Sequence, residues 1–271
     1  MAGQVVLVGC GNMGFAMLKG WLASGRLSAG DVVVVEPADA LRERAAGLGV
    51  ATCSDAQGIA ADAAPRLIVF AVKPQVILDI VPAYRRFASG ATYLSVAAGT
   101  PIAAFEAALG TGIAMVRCMP NTPAAIGKGM MVTVTNGAVS DDAMAFVNDL
   151  LSASGAVAAV DDEALMDAVT AVSGSGPAYV FHFIESLTAA GEAAGLAPET
   201  AGLLAMQTVF GAACLAAESG EEPGELRRQV TSPNGTTAAA LGVLMGDDRL
   251  KALVTEAVEA ARLRSVELGK Q

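Results

Sequence analysis

Short β-branched and apolar runs recur through the first 160 residues, at 4–8, 32–35, 67–72, 92–96, 113–117, 130–135 and 156–160, with helix-like segments between them. Strands joined by helical crossovers of about ten residues or more run parallel, and a parallel sheet has to be covered by helices on both faces. The alternation therefore predicts an α/β domain over residues 1–160, built on a mainly parallel sheet. After Asp161 no strand pattern remains, and helix starts stand at Asp161-Asp162, Ala197-Pro198 and Asp247-Asp248. Residues 161–271 accordingly read as an all-α domain.

Two segments of that second half, 178–190 and 200–217, are apolar around most of their circumference. Helices of this kind need cover on more than one side, so the half is expected to pack against a second copy of itself. The uncharged stretch from Thr200 to Ala217 has about the length of a membrane span. It also carries Gln207 and Thr208, is bounded by Glu199 and Glu218, and lacks a basic flank, so it reads as a buried helix and no membrane partner is expected. His182, the only histidine, sits in Val180-Phe181-His182-Phe183-Ile184 and is expected in the core or at an interface.

Charge narrows the function classes. Seventeen Lys and Arg against 27 Asp and Glu leave a net charge of −10, which argues against a nucleic-acid partner. The four cysteines, Cys10, Cys53, Cys118 and Cys214, share no metal-ligand spacing, and no metal site is expected. The apolar run at 4–8 is too short for a secretory signal, so free thiols and a cytoplasmic location are the expectation.

Gly9-Cys10-Gly11-Asn12-Met13-Gly14 follows the first strand and opens a helix, the context in which a G-x-G-x-x-G turn binds a dinucleotide. Gly9 permits the tight turn, Gly11 lets backbone approach a pyrophosphate, and Gly14 lets helix and strand pack closely. The helix start offers unpaired N–H groups to the phosphates. Glu36, at the end of the second strand, is placed to accept hydrogen bonds from the adenosine ribose and so favours NAD(H), whereas Arg42 and Arg44 on the next helix are candidates for pairing with a 2′-phosphate. NADP(H) and NAD(H) both stay open. Ala71-Val72-Lys73-Pro74 ends the next strand, where the carboxyl ends of parallel strands line a ligand crevice. Ala98 and Gly99 end another with residues small enough for a flat nicotinamide. Asn121, in Met119-Pro120-Asn121-Thr122-Pro123, is either a cofactor contact or part of a stiff turn.

In the second half, Ser173-Gly174-Ser175-Gly176-Pro177 interrupts helix-forming sequence and reads as a bend between two helices or as the donor-rich wall of a pocket. Val230-Thr231-Ser232-Pro233-Asn234-Gly235-Thr236-Thr237 stops the helices again. Gly-Cys-Gly-Asn-Met-Gly, Ala-Val-Lys-Pro, Met-Pro-Asn-Thr-Pro, Ser-Gly-Ser-Gly-Pro-Ala-Tyr and this last loop, in this order, resemble pyrroline-5-carboxylate reductase over essentially the whole chain. The resemblance implies a Rossmann domain followed by a helical dimerisation domain, dimers that assemble further into decamers, and reduction of 1-pyrroline-5-carboxylate to L-proline by NAD(P)H. It implies cofactor contacts from Gly9, Gly11, Asn12, Met13, Gly14, Glu36, Ala71, Val72, Lys73, Pro74, Ala98, Gly99 and Asn121. Substrate contacts are implied for Ser175, Asn234, Gly235, Thr236 and Thr237, with the Thr237 hydroxyl directed at the ring nitrogen and Lys73 as an electrostatic helper.

The loop has a physical task in this reading. Residues 161–250 contain no lysine, and Arg227, Arg228 and Arg249 lie outside the motif. A small carboxylate is then best held by main-chain N–H groups at a helix start, which Asn234-Gly235-Thr236-Thr237 before Ala238 supplies. Asn234 stands where the family more often has glycine, a substitution that a left-handed backbone tolerates. Two rivals remain. A β-hydroxyacid dehydrogenase would need a lysine in the helical half, and a non-catalytic NAD(P)-sensing scaffold would have no use for the second loop.

Overall fold

The computed structural model describes residues 4–269. By contacts the chain forms two compact units: residues up to Ser175 with those from Ala261 onward, and Gly176–Ala260. The strand-bearing unit therefore reaches past the change of rhythm at 160 and takes back the end of the last helix.

The first unit contains Val5–Val8 (β1), Asn12–Ala23 (α1), Val32–Val35 (β2), Asp39–Ala46 (α2), Ala51–Cys53 (β3), Leu67–Phe70 (β4) and Pro74–Ile80 (α3). It continues through Thr92–Ser95 (β5), Ile102–Leu109 (α4), Ala114–Met119 (β6), Gly129–Thr135 (β7), Asp141–Ser152 (α5) and Gly155–Ala159 (β8). The strands form one sheet in the order β3-β2-β1-β4-β5-β6-β7-β8. All neighbours are parallel except β6 and β7, with Cys118 opposite Thr133. Val5 pairs with Val32 on one side and Leu67 on the other, which makes β1 central to the nucleotide-binding half.

Strand alternation divides the core between the two faces. Val5 and Leu7 pack with Met17, Leu18 and Trp21 of α1 and with Leu150 and Leu151 of α5. Val6 and Val8 pack with Ile77, Tyr84 and Phe105 on the opposite side. Each such side chain contributes roughly 1.5–3 kcal/mol by leaving water. Trp21 also donates its indole N–H to the Leu150 carbonyl at 3.1 Å, tying α1 to α5. The Phe70 ring meets Tyr84 edge-on at 5.3 Å, so the second face is held by an aromatic cluster.

Two elements depart from the sequence reading. β3 is an edge strand of three residues with no β-branched run, created by its register with β2 (Val34 opposite Thr52). The bend expected around Ser173-Gly174-Ser175 is not a break. Met166–Val169 (α6) passes through a π turn at Thr170–Gly174 into Gly176–Ala193 (α7), with right-handed helical dihedrals at Thr170 and Ser175. The Ser175 N–H donates to the Thr170 carbonyl at 2.8 Å, five residues back, so the extra residue widens the helix rather than ending it.

The second unit holds α7, then Pro198–Glu218 (α8), Pro223–Gln229 (α9), Thr236–Met245 (α10) and the start of Arg249–Leu268 (α11). α7 and α8 approach closely because Gly191 has no side chain: a Cβ there would lie 3.2 Å from the Ala201 Cβ. The burial expected of 200–217 does not occur within one chain. α8 buries Ala201 and Ala205, while Leu203 is 68% and Phe210 60% exposed. Among the described residues, α8 is the one helix long and apolar enough to cross a membrane by length and composition.

Candidate functional site

The glycine turn is shaped by steric exclusion. Gly9 has φ of +89°, and a Cβ on it would come within 2.7 Å of the Val72 side chain and 2.8 Å of the Ala71 carbonyl oxygen. A Cβ on Gly14 would run into the Gly9 carbonyl oxygen, so the α1 backbone can lie against the turn only with glycine at 14. Gly11, in contrast, faces open space, with no atom within 4 Å of its Cβ position. It is the residue before α1, and no side chain caps the helix there. The first N–H groups of α1 are thus left without a side-chain acceptor, next to the open space at Gly11.

Glu36 follows β2 beside this turn and is 6% exposed. Its carboxylate accepts from the Cys10 N–H at 2.7 Å and from the Ala38 N–H at 3.0 Å. Burial pushes the Cys10 thiol up to about 11, with Glu36 reinforcing the effect and Arg44 opposing it. A cavity of about 520 Å³ opens in front, lined by Gly9, Gly11, Glu36, Ala71, Val72 and Lys73 among others. Six of the expected cofactor residues therefore converge on one space at the carboxyl ends of β1, β2 and β4.

The others are distributed around it. Pro74 occupies the first turn of α3, and with Ala98 and Gly99 it lines a second cavity of about 530 Å³. Asp79 borders both spaces. Asn12 and Met13 line a third cavity, of about 390 Å³, beside Lys19 and Arg44. The Gly99 side is braced from behind: Glu163 pairs with Arg117 at 2.9 Å and also accepts the Ile102 N–H at 2.9 Å. Ser265 of α11 donates to Asp167 at 2.6 Å. Asn121 uses its amide on the protein itself, donating to the Ser173 carbonyl at 3.2 Å and accepting from the Met130 N–H at 2.9 Å.

Sequence reasoning missed Asp55, Asp79 and Tyr84 in the lining of the first cavity. Asp55 stands two residues beyond β3, where the crevice rule would have marked it had that strand been legible. Its Oδ1 accepts the N–H groups of Gln57 (2.8 Å) and Gly58 (3.3 Å).

The loop in the second unit has the local geometry of a helix-start anion site. Pro233 and Asn234 occupy the corners of a turn closed by Gly235 N–H to the Ser232 carbonyl at 3.1 Å. Asn234 is left-handed, with φ of 59°. A Cβ on Gly235 would strike the Ser232 hydroxyl. Thr236 and Thr237 then begin α10, again with no side-chain cap. His182 differs from expectation: within one chain its side chain is 80% exposed, with Nδ1 3.1 Å from Glu185 one helical turn on.

Comparison with known proteins gives a consistent result. Residues 163–268 match the family model described as pyrroline-5-carboxylate reductase dimerisation, and residues 4–99 match one described as NADP oxidoreductase, coenzyme F420-dependent. A pyrroline-5-carboxylate reductase of Pseudomonas aeruginosa is 41% identical over 99% of this chain and 97% of its own length. That of Escherichia coli is 35% identical over the full length of both. The solved pyrroline-5-carboxylate reductase of Coxiella burnetii superposes with a TM-score of 0.92 at 34% identity, covering 99% of each chain. A Plasmodium falciparum pyrroline carboxylate reductase solved with NADP bound superposes with a TM-score of 0.82 at 30% identity, covering 98% of this chain and 97% of its own.

Proposed function

Since this chain belongs to the pyrroline-5-carboxylate reductase family, we infer that it reduces 1-pyrroline-5-carboxylate to L-proline with hydride from NAD(P)H. The observation that carries the inference is full-length similarity to enzymes of that name at 41% identity, together with an intact glycine cradle and an intact Asn234–Thr237 loop.

The reduced nicotinamide supplies the hydride that adds to the carbon of the C=N bond, and the ring nitrogen ends as an amine. What the protein contributes is alignment. Gly9, Gly11 and the α1 start hold the pyrophosphate, with Asn12 and Met13 beside it and Gly14 keeping the helix close. Glu36 takes the adenosine ribose. Ala71, Val72, Lys73 and Pro74 wall the middle of the cofactor, and Ala98 and Gly99 leave room for the nicotinamide. Asn121 acts from behind the site through Ser173 and Met130.

The substrate carboxylate is bound by main-chain N–H groups at Thr236 and Thr237, with Asn234 and Gly235 shaping the turn and Ser175 as a further donor. Thr237 hydrogen-bonds and orients the ring nitrogen. A hydroxyl is too weak an acid to deliver the proton, which comes from solvent or arrives on an already protonated imine. Lys73 adds positive charge to the cofactor side.

We further assign residues 1–160 to cofactor binding and 161–271 to substrate binding and dimerisation. The match of the dimerisation model to 163–268 and the exposed apolar side chains of α7 and α8 support a homodimer through the second half, with decamers built from such dimers. Four free cysteines support a reducing, cytoplasmic setting.

Mixing the protein with pyrroline-5-carboxylate and NADH or NADPH, and following the nicotinamide absorbance, tests the reading. Loss of absorbance that needs both reactants, with L-proline as product, is expected. A signal that stays flat with this substrate but moves with a 3-hydroxyacid and NAD(P) would indicate the dehydrogenase, and nucleotide binding without any turnover would indicate the scaffold.

A further inference from the structure

We infer that the cofactor cavity discriminates against a 2′-phosphate and that this chain is an NADH-preferring enzyme, with Glu36, Asp55 and Asp79 as the specificity-determining residues. The inference deepens the function proposed above and rests on the same cavity binding the dinucleotide.

Three observations carry it. The first is the posture of Glu36. Each carboxylate oxygen accepts one backbone N–H, from Cys10 or Ala38, so the group is held in place by the glycine turn and by the start of the next helix. A carboxylate has about four lone-pair sites; the two left over can accept ribose hydroxyls but cannot be turned away from a phosphate. The second is the sign of the wall. Glu36, Asp55 and Asp79 all line the cavity, and among the described lining residues Lys73 is the sole cation.

The third concerns the two arginines that could have answered a 2′-phosphate. Arg42 donates through Nη1 to the carbonyls of Glu36 (2.9 Å) and Pro37 (3.0 Å), and through Nη2 to the Asp39 carboxylate. Arg44 donates to the carbonyls of Cys10 (2.7 Å) and Gly11 (3.3 Å), with its guanidinium 4.0 Å above the Phe15 ring. Arg42 is tied to the backbone that follows β2 and Arg44 to the glycine turn, and neither lines the cavity. Lys73 is a single cation against the three carboxylates of that wall, and β1 lies between β4, which it follows, and β2, which Glu36 follows.

An added phosphate dianion within about 6 Å of even one of these carboxylates is disfavoured on the order of tenfold even at the dielectric of bulk water. The ribose 2′-hydroxyl of NADH instead gains an acceptor. The wild-type protein is therefore expected to bind NADH at least about tenfold more tightly than NADPH and to show a similar ratio in kcat/KM.

Calorimetric titration with each nucleotide, without substrate, reads the preference independently of the reaction. Equal affinities, or tighter binding of NADPH, would overturn the inference. A clear preference for NADH in protein that leaves pyrroline-5-carboxylate unreduced would sink the proposed function and leave the selectivity standing. Glu36→Ser is expected to move the NADPH to NADH affinity ratio about tenfold toward NADPH. Because Glu36 also holds the turn, that variant could lose both nucleotides together. Asp79→Asn, on an exposed helix position, then decides: a shift of severalfold toward NADPH supports the charged wall, and an unchanged ratio in both variants refutes it.

Discussion

Gly14 shows how much a single hydrogen atom controls here. The α1 backbone passes so near the turn that a methyl at 14 would occupy the space of the Gly9 carbonyl oxygen. Gly14→Ala is expected to push the helix start away, weaken nucleotide affinity at least about tenfold, and cost roughly 1–3 kcal/mol of stability through overpacking. Titration with NADH and a thermal melt check the two parts separately. Gly9, Gly11, Gly14 and Glu36 were legible in the sequence because their task is local: a strand end, a turn and a helix start fix which backbone groups are free. The partners of Arg42 and Arg44 were not legible. Arg44 meets carbonyls more than thirty positions away (|i−j| of 34 and 33), which only the folded arrangement of β1 and α2 brings near.

Among elements, the π turn at Thr170–Gly174 is the least expected from sequence. Its Ser173 is tied to Asn121, whose amide oxygen also accepts from Met130 at the start of β7. One side chain thus joins the loop after β6, the antiparallel strand β7 and the approach to α7. Asn121→Ala would leave half-buried partners unsatisfied, a loss of roughly 1 kcal/mol. Denaturant unfolding checks this, and a variant as stable as wild type would mean that the tie is incidental. The glycine and serine cluster announced an irregularity in the sequence, but not its kind. A bend and a π turn share composition, and what separates them is whether neighbouring packing keeps the backbone helical. β3 was invisible for a similar reason: three residues carry no periodicity, and their extended form comes from pairing with β2.

At the scale of the whole molecule, the helical unit presents apolar side chains that one chain does not cover. Phe181 is 59%, Leu203 68%, Phe210 60% and Leu253 64% exposed. Phe210→Glu is expected to shift the protein toward monomer, measured by light scattering, and to lower its melting temperature because buried charge opposes association. An oligomer unchanged by it would place the contact elsewhere. Alkaline pH acts on the strand-bearing unit instead. Burial raises the Cys10 thiol to about 11 and the Cys118 thiol and Tyr93 hydroxyl to about 12, and it raises Tyr84 further. The folded state keeps protons that the unfolded chain releases. Stability from these groups is complete below their ordinary values and declines as pH rises toward 11 and beyond, by on the order of 2 kcal/mol for Cys10 alone. Melting curves between about pH 8 and about pH 11 should fall progressively; a flat profile would contradict it.

The amino-acid sequence alone determined the alternation of strands and helices, the positions of the glycine turn and of the Asn234–Thr237 helix start, and the family, because periodicity, allowed dihedrals and motif order are properties of neighbouring residues. Tertiary structure decided which way Glu36 is held, where the arginines are committed, that β3 exists, and that α8 is left uncovered. Each of those depends on a carbonyl, a strand or a surface contributed from far along the chain, and hydrogen bonds and burial are settled by what arrives in space.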